Sequence, residues 1–218
     1  MKKISIMGDS ISTYEGFNPP GYHVYYTPFN RRQYGLYSVN DTWWWRVIKK
    51  LGGELCVCAG YSGGMVSGID FPAACCQRRI DELSGEKGKP DIILCYIGTN
   101  DYGYGVNISG DNETSFAYAY ELMIKRMKNT YPDADIVCAT LMKPEEDFEP
   151  FVPVNGKGYD LYDYNRPIRE ACRRQKVFLA DLADDDIRFS APGGSIHPNR
   201  AGHKTIADQF ISELNKFF

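Results

Sequence analysis

Residues 2–12 read KKISIMGDSIS: two lysines, a short apolar run from Ile4 to Met7, then Gly8-Asp9-Ser10. The run is near-continuous in hydrophobic residues, as a strand covered on both faces requires, and the glycine marks where the chain can leave it sharply. Runs of the same kind follow at 54–58, 91–97, 134–141 and 176–182, which with 2–7 makes five strands. Longer stretches with apolar residues at helical spacing alternate with them, the pattern of parallel strands joined by crossover helices. The expected fold is α/β, a three-layer sandwich around a five-stranded parallel sheet. Its strand order should be 2-1-3-4-5, because right-handed crossovers bring strands 1 and 3 together at a switch point.

The intervening helices have readable ends. DTWWWRVIKKLGG at 41–53 offers Asp41 or Thr42 as an N-cap and Gly52-Gly53 as a stop, and further helices fit 73–84, 114–130, 165–175 and 199–217. Trp43, Trp44 and Trp45 are consecutive and cannot share one face, so two should pack on the sheet and one should cover a loop. Two stretches resist the scheme: 14–40, rich in Tyr, Pro, Gly and Phe, and 143–162, rich in acids, prolines and glycines. Each would follow the C-terminal end of a strand, the edge where open α/β sheets bind ligands. Tyr14, Tyr22, Tyr25, Tyr26, Phe29 and Tyr34 could wall a cleft or fasten the first of these loops to the domain. With no repeat and no linker, residues 1–218 read as one domain carrying both loop insertions.

Composition excludes several partners. A formal charge of −3 with no clustered Lys/Arg run argues against nucleic acid, which needs a basic stripe. The apolar run after Lys2-Lys3 is too short for a secretory leader, and no later segment would span a membrane. Seven cysteines are an odd number, Cys56 and Cys58 point the same way along a strand, and Cys75-Cys76 read as small helix-face residues; a reducing cytoplasm fits best. With no C-x-x-C pair and three histidines, a metal site lacks material. Gly103-Tyr104-Gly105 is only a fragment of a dinucleotide fingerprint, so no cofactor is expected.

The strand ends carry the chemistry. Ser10 stands at the end of the first, as a nucleophile or as a helix N-cap. The second runs into AGYSGGMVSG, whose glycines let backbone N–H groups face a ligand, and the third ends in IGTND, placing Asn100 on the same edge. His197 lies in PGGSIHPNRAGH, where an imidazole just ahead of a helix could handle protons or simply be solvated. Acyl transfer needs a hydroxyl, a base and oxyanion donors; Ser10, His197, the N–H groups of Ser10 and Gly63, and the Asn100 side chain would supply them.

GDS at 8–10, SGG at 62–64, GTND at 98–101 and HPNRAGH at 197–203 occur in that order, and through them the sequence resembles the SGNH (GDSL) esterases and acylhydrolases over nearly its whole length. The resemblance implies the flavodoxin-like SGNH-hydrolase fold, with Ser10 as nucleophile, His197 as base, and Gly63 and Asn100 as oxyanion donors. One position departs: the family carries an aspartate three residues before the histidine, where this chain has Gly194. The acid of a serine triad holds the imidazole tautomer and stabilises the imidazolium, and its loss can cost about 10⁴ in turnover. A loop carbonyl between Ala191 and Ile196 is the favoured replacement; a carboxylate from Asp184, Asp185 or Asp186, 11 to 13 residues before His197, is the other. His23 and His203 read as structural, and Asp9 and Asp101 as ties between loops.

The leading expectation is a serine hydrolase cleaving a small acyl ester, with an acetyl group on a carbohydrate as first guess, since polar aromatics dominate 14–40. A thioesterase, a binding module that kept the pocket but lost catalysis, and a flavodoxin-like phosphate binder are the alternatives. An unperturbed histidine base would make the rate rise at about pH 6.5.

Overall fold

The computed structural model describes residues 1–146, 154–193 and 195–217. Five parallel strands form one sheet in the order β2-β1-β3-β4-β5: β1 (Lys3–Gly8), β2 (Glu54–Gly60), β3 (Ile92–Tyr96), β4 (Asp135–Ala139) and β5 (Phe178–Ala180). This is the expected topology, and β3, at the centre, is buried throughout. Among the described residues seven α-helices surround it: α1 (Pro28–Gln33), α2 (Trp43–Lys50), α3 (Gln77–Asp81), α4 (Thr99–Gly103), α5 (Phe116–Thr130), α6 (Asn165–Gln175) and α7 (Arg200–Leu214). α2 packs with α7, while α5 packs with α3 and α6, the division that right-handed crossovers produce when the chain first moves from β1 outward to β2 and then back past it.

Trp43 seals the α2–α7 layer. It is fully buried, stacked on Phe210 at 5.0 Å and edge-on to Tyr96 of β3 at 5.7 Å. Trp44 is also buried, and both it and the half-buried Trp45 meet Phe17 of the segment after β1. Only Trp43 therefore faces the sheet among the aromatic contacts; its neighbours clamp the 14–40 segment.

Two local expectations need correction. The helix expected over 73–84 is confined to α3. Ala74 and Cys75 spend their N–H groups on the carbonyls of Met65 and Val66, so this stretch braces the loop after β2 instead of coiling, and Cys75-Cys76 lie in a turn. Conversely, 14–40 contains α1, capped by Thr27 with Pro28 at its first position, a start signal that Thr-Pro carries in plain view.

The ends of β1, β2 and β3 lie level, with Gly8 beside Gly60 on one flank and Tyr96 on the other. Arg79 of α3 holds this edge from beneath. Its guanidinium is fully buried and donates to the carbonyls of Gly8 (3.0 Å), Ala59 (2.6 Å) and Pro72 (2.6 Å), between the rings of Tyr22 and Tyr61. An Arg79→Met variant would remove a donor from three carbonyls, of which Gly8 keeps the Tyr61 N–H (3.1 Å), at about 1–3 kcal/mol for each one that stays buried and unpaired. We expect urea denaturation to report a loss of about 3 kcal/mol or more; a loss under about 1 kcal/mol would mean that water replaces the guanidinium.

Candidate active site

Beyond β1 the chain makes a single 3-10 turn, Ser10–Ser12, and the capping role falls to Asp9, whose carboxylate accepts the Ile11 N–H at 3.0 Å. Ser10 is thereby free of the cap, and its Oγ lies 2.9 Å from Nε2 of His197. Gly8 is required for space: an added Cβ would stand 2.3 Å from Ser12 Oγ. Ser12 itself accepts from Trp43 Nε1–H at 3.3 Å and takes no part in the site.

The second and third strand ends meet each other. Gly63 sits at φ +78° with open space around it, a backbone that favours glycine, in a turn closed by Gly64 N–H on the Tyr61 carbonyl. Asn100, in α4, donates one Nδ2 hydrogen to the Gly64 carbonyl at 2.9 Å. The N–H groups of Ser10 and Gly63 enter no hydrogen bond with a described residue. Asp101, buried, accepts from the N–H groups of Val66 and Ser67 and from Ser67 Oγ, tying the third loop to the second as expected.

His197 arrives from the segment before α7, which Asn199 caps through the Gly202 N–H. The 14–40 segment fixes it. Tyr26 donates to the Pro198 carbonyl (2.8 Å), the Tyr34 carbonyl accepts from Arg200 N–H (2.9 Å), and Tyr34 Oη contacts Ser195 Oγ (3.0 Å), which accepts the His197 N–H (3.0 Å). Tyr25, hydrogen-bonded to Tyr34, lays its ring on the imidazole with centroids 3.4 Å apart and planes 8° from parallel. Of the six aromatics singled out in that segment, Tyr14, Tyr22, Tyr26 and Tyr34 are buried as fasteners, Phe29 is exposed, and Tyr25 alone stacks on the histidine.

Asp184, Asp185 and Asp186 are exposed, with the Asp184 carboxylate turned to the Asp186 N–H, and among the described residues no carboxylate bonds or pairs with His197. Gly194 lies outside the described residues, and no described carbonyl between Ala191 and Ile196 accepts from the ring. Burial pushes His197 down to about 4, and among the described residues no charge partner offsets it. His203 is structural: fully buried, it accepts the Trp43 N–H and is pushed by burial to about 3. His23 is exposed and stacks on Tyr61. Beside Ser10, burial raises Asp9 to about 7, and on α4 it raises Asp101 to about 6. The described residues hold no cluster of metal-ligating side chains.

Sequence reasoning had no grip on Arg79, since nothing in Gln77-Arg78-Arg79-Ile80 separates the buried arginine from its exposed neighbour. Ser195, which no strand end marks out, accepts the His197 N–H. The signal for both it and Tyr25 was only the density of hydroxyls at 22–34 and before His197.

The parallel sheet, its order and its surrounding helices are those of the SGNH-type α/β hydrolases. Residues 2–214 match the family model described as GDSL-like Lipase/Acylhydrolase, and the chain belongs to that family. It is similar to the cellulase/esterase CelE of Acetivibrio thermocellus, 25% identical over 221 residues that take in 98% of this chain; the chain spans 25% of that curated relative's length. Among solved structures, a GDSL-like lipase from Bacteroides ovatus matches with a TM-score of 0.77 at 25% identity, covering 99% of both chains. A family two carbohydrate esterase from Clostridium thermocellum, solved with cellohexaose, shares the fold with a TM-score of 0.64 at 20% identity over 99% of this chain and 64% of that one. Among the described residues no helix is long and apolar enough to cross a membrane.

The buried ring changes the expected pH dependence. A base works while neutral, so activity is lost only as pH falls through the lowered pKa, and kcat/KM for an ester should fall with a midpoint near 4 and not near 6.5. A midpoint at 6.5, the unperturbed value, would show that the ring is solvated.

Proposed function

We propose that this protein is a serine ester hydrolase that removes a small acyl group, such as acetyl, from a carbohydrate. The observation that carries the reading is the 2.9 Å approach of Ser10 Oγ to His197 Nε2 at the C-terminal edge of the sheet. Nε2 takes the Ser10 proton as Oγ bonds to the ester carbonyl carbon, and the carbonyl oxygen becomes the oxyanion. The N–H groups of Ser10 and Gly63 and the second Nδ2 hydrogen of Asn100 are the donors for that charge. The carbon–alkoxide bond then breaks, the alcohol leaving with the proton from Nε2. Water attacks the acyl-serine, gives its proton to Nε2, and the acid departs as Ser10 regains it.

Membership of an acylhydrolase family supports the ester, and the esterase among the relatives together with the cellohexaose-bound neighbour supports the sugar. The seven free cysteines support a reducing compartment such as the cytoplasm. One observation favours a binding module instead, the lack of a carboxylate on His197 among the described residues.

A fluorophosphonate separates the two. We expect a stoichiometric adduct on Ser10 by mass spectrometry, no hydrolysis of acetylated oligosaccharides by Ser10→Ala, and a kcat loss of about 10²–10³ in Asn100→Ala. Absence of the adduct would favour the binder, and an Asn100→Ala enzyme within about twofold of wild type would remove Asn100 from the oxyanion site.

A further inference from the structure

Every serine–histidine pair must answer one question: what stabilises the imidazolium that forms when the serine loses its proton. In this molecule the ring is enclosed by Ser10 on one edge, by Tyr26 and Tyr34 edge-on at 6.4 Å each, by Ser195 at its backbone, and by the face of Tyr25. His203 stands behind Tyr26 and is itself pushed strongly toward the neutral form. Among the described residues, the groups packed on His197 are thus neutral hydroxyls and aromatic rings.

The geometry of the Tyr25 contact is unusual for two neutral rings. Aromatic pairs avoid the face-to-face sandwich because their negative faces repel, and they settle into offset or edge-on arrangements. A centroid separation of 3.4 Å at 8° is close to that sandwich. The same arrangement becomes attractive once one ring is a cation, since a positive charge over an aromatic face is stabilised, and more so where water is excluded. The contact therefore favours the protonated state over the neutral one, which is the differential binding that accelerates a step. The hydrogen bonds between Tyr25 and Tyr34 and between Tyr34 and Ser195 tie the phenol to the loop that carries the histidine.

Resting on the acyl-transfer reading above, we infer that Tyr25 performs the task a carboxylate performs in a serine triad. Its face sets the plane of His197 and stabilises the imidazolium formed when Ser10 gives up its proton. Tyr25 is a positioning residue acting through His197, and it needs no contact with substrate.

Electronic substitution at one site tests this without altering shape. Tyr25→Phe keeps the face and loses the hydroxyl; phenylalanines bearing one, two and three ring fluorines keep the shape and progressively weaken the face. Tyr25→Phe should keep kcat within about threefold, and kcat should then fall stepwise to about tenfold lower at three fluorines, with KM unchanged. The titration midpoint of His197, followed by NMR of its ring protons, should fall in the same order. A kcat and a midpoint that stay level across the series would overturn the proposal in an otherwise active enzyme. If the wild type neither hydrolyses esters nor takes the fluorophosphonate, it is the acyl-transfer reading that fails, and the His197 midpoints still decide the stack.

Discussion

A buried guanidinium sets the geometry on which the candidate site depends. Parallel strands that end level present carbonyl oxygens to a region that water does not reach, and each needs a donor. Arg79 serves Gly8 and Ala59 on adjacent strands and Pro72 on the loop that returns toward α3, so one planar cation joins three chain segments. Its charge is costly to bury, and the cost is offset by those carbonyls, by two aromatic faces and by the proximity of Asp9. Asp9 and Asp101 are in turn occupied with the turn that carries Ser10 and with the loop after β2 that carries Gly63. Removal of the arginine would loosen both sides of the proposed oxyanion site at once.

The histidine is held by different means. Its loop is pinned by main-chain carbonyls and by phenol hydroxyls of the 14–40 segment, groups that demand no particular acid nearby. A ring kept neutral by burial is available as a proton acceptor over a wide pH range. The same burial makes it a weaker base, so the protonated form must be stabilised locally if the step is to proceed. That requirement gives the tyrosine layer a reason to crowd the imidazole.

Much of this was legible in the primary structure because the strands are buried on both faces. Continuous apolar runs with polar ends left little choice of class, and α6 begins and ends where its periodicity does. Level strand ends then follow from topology, which is why the sequence alone suggested Ser10, Gly63 and Asn100 as one group. Reading failed where backbone bonds to a distant segment overrode local preference, as at Ala74 and Cys75, and where a short capped helix hid inside a tyrosine-rich stretch. It failed again at Arg79 and Tyr25, because burial and ring orientation depend on contacts between residues far apart in the chain.

The Ser10–His197 contact joins residues 187 positions apart. Domains tend to acquire structure from the N-terminus as the ribosome delivers them, so Ser10 and its turn emerge with the first strand of this domain while His197 follows only after all five strands. On the proposed reading Ser10 has no proton acceptor until α7 docks against α2, so the packing event that completes the α2–α7 layer would also switch on its reactivity.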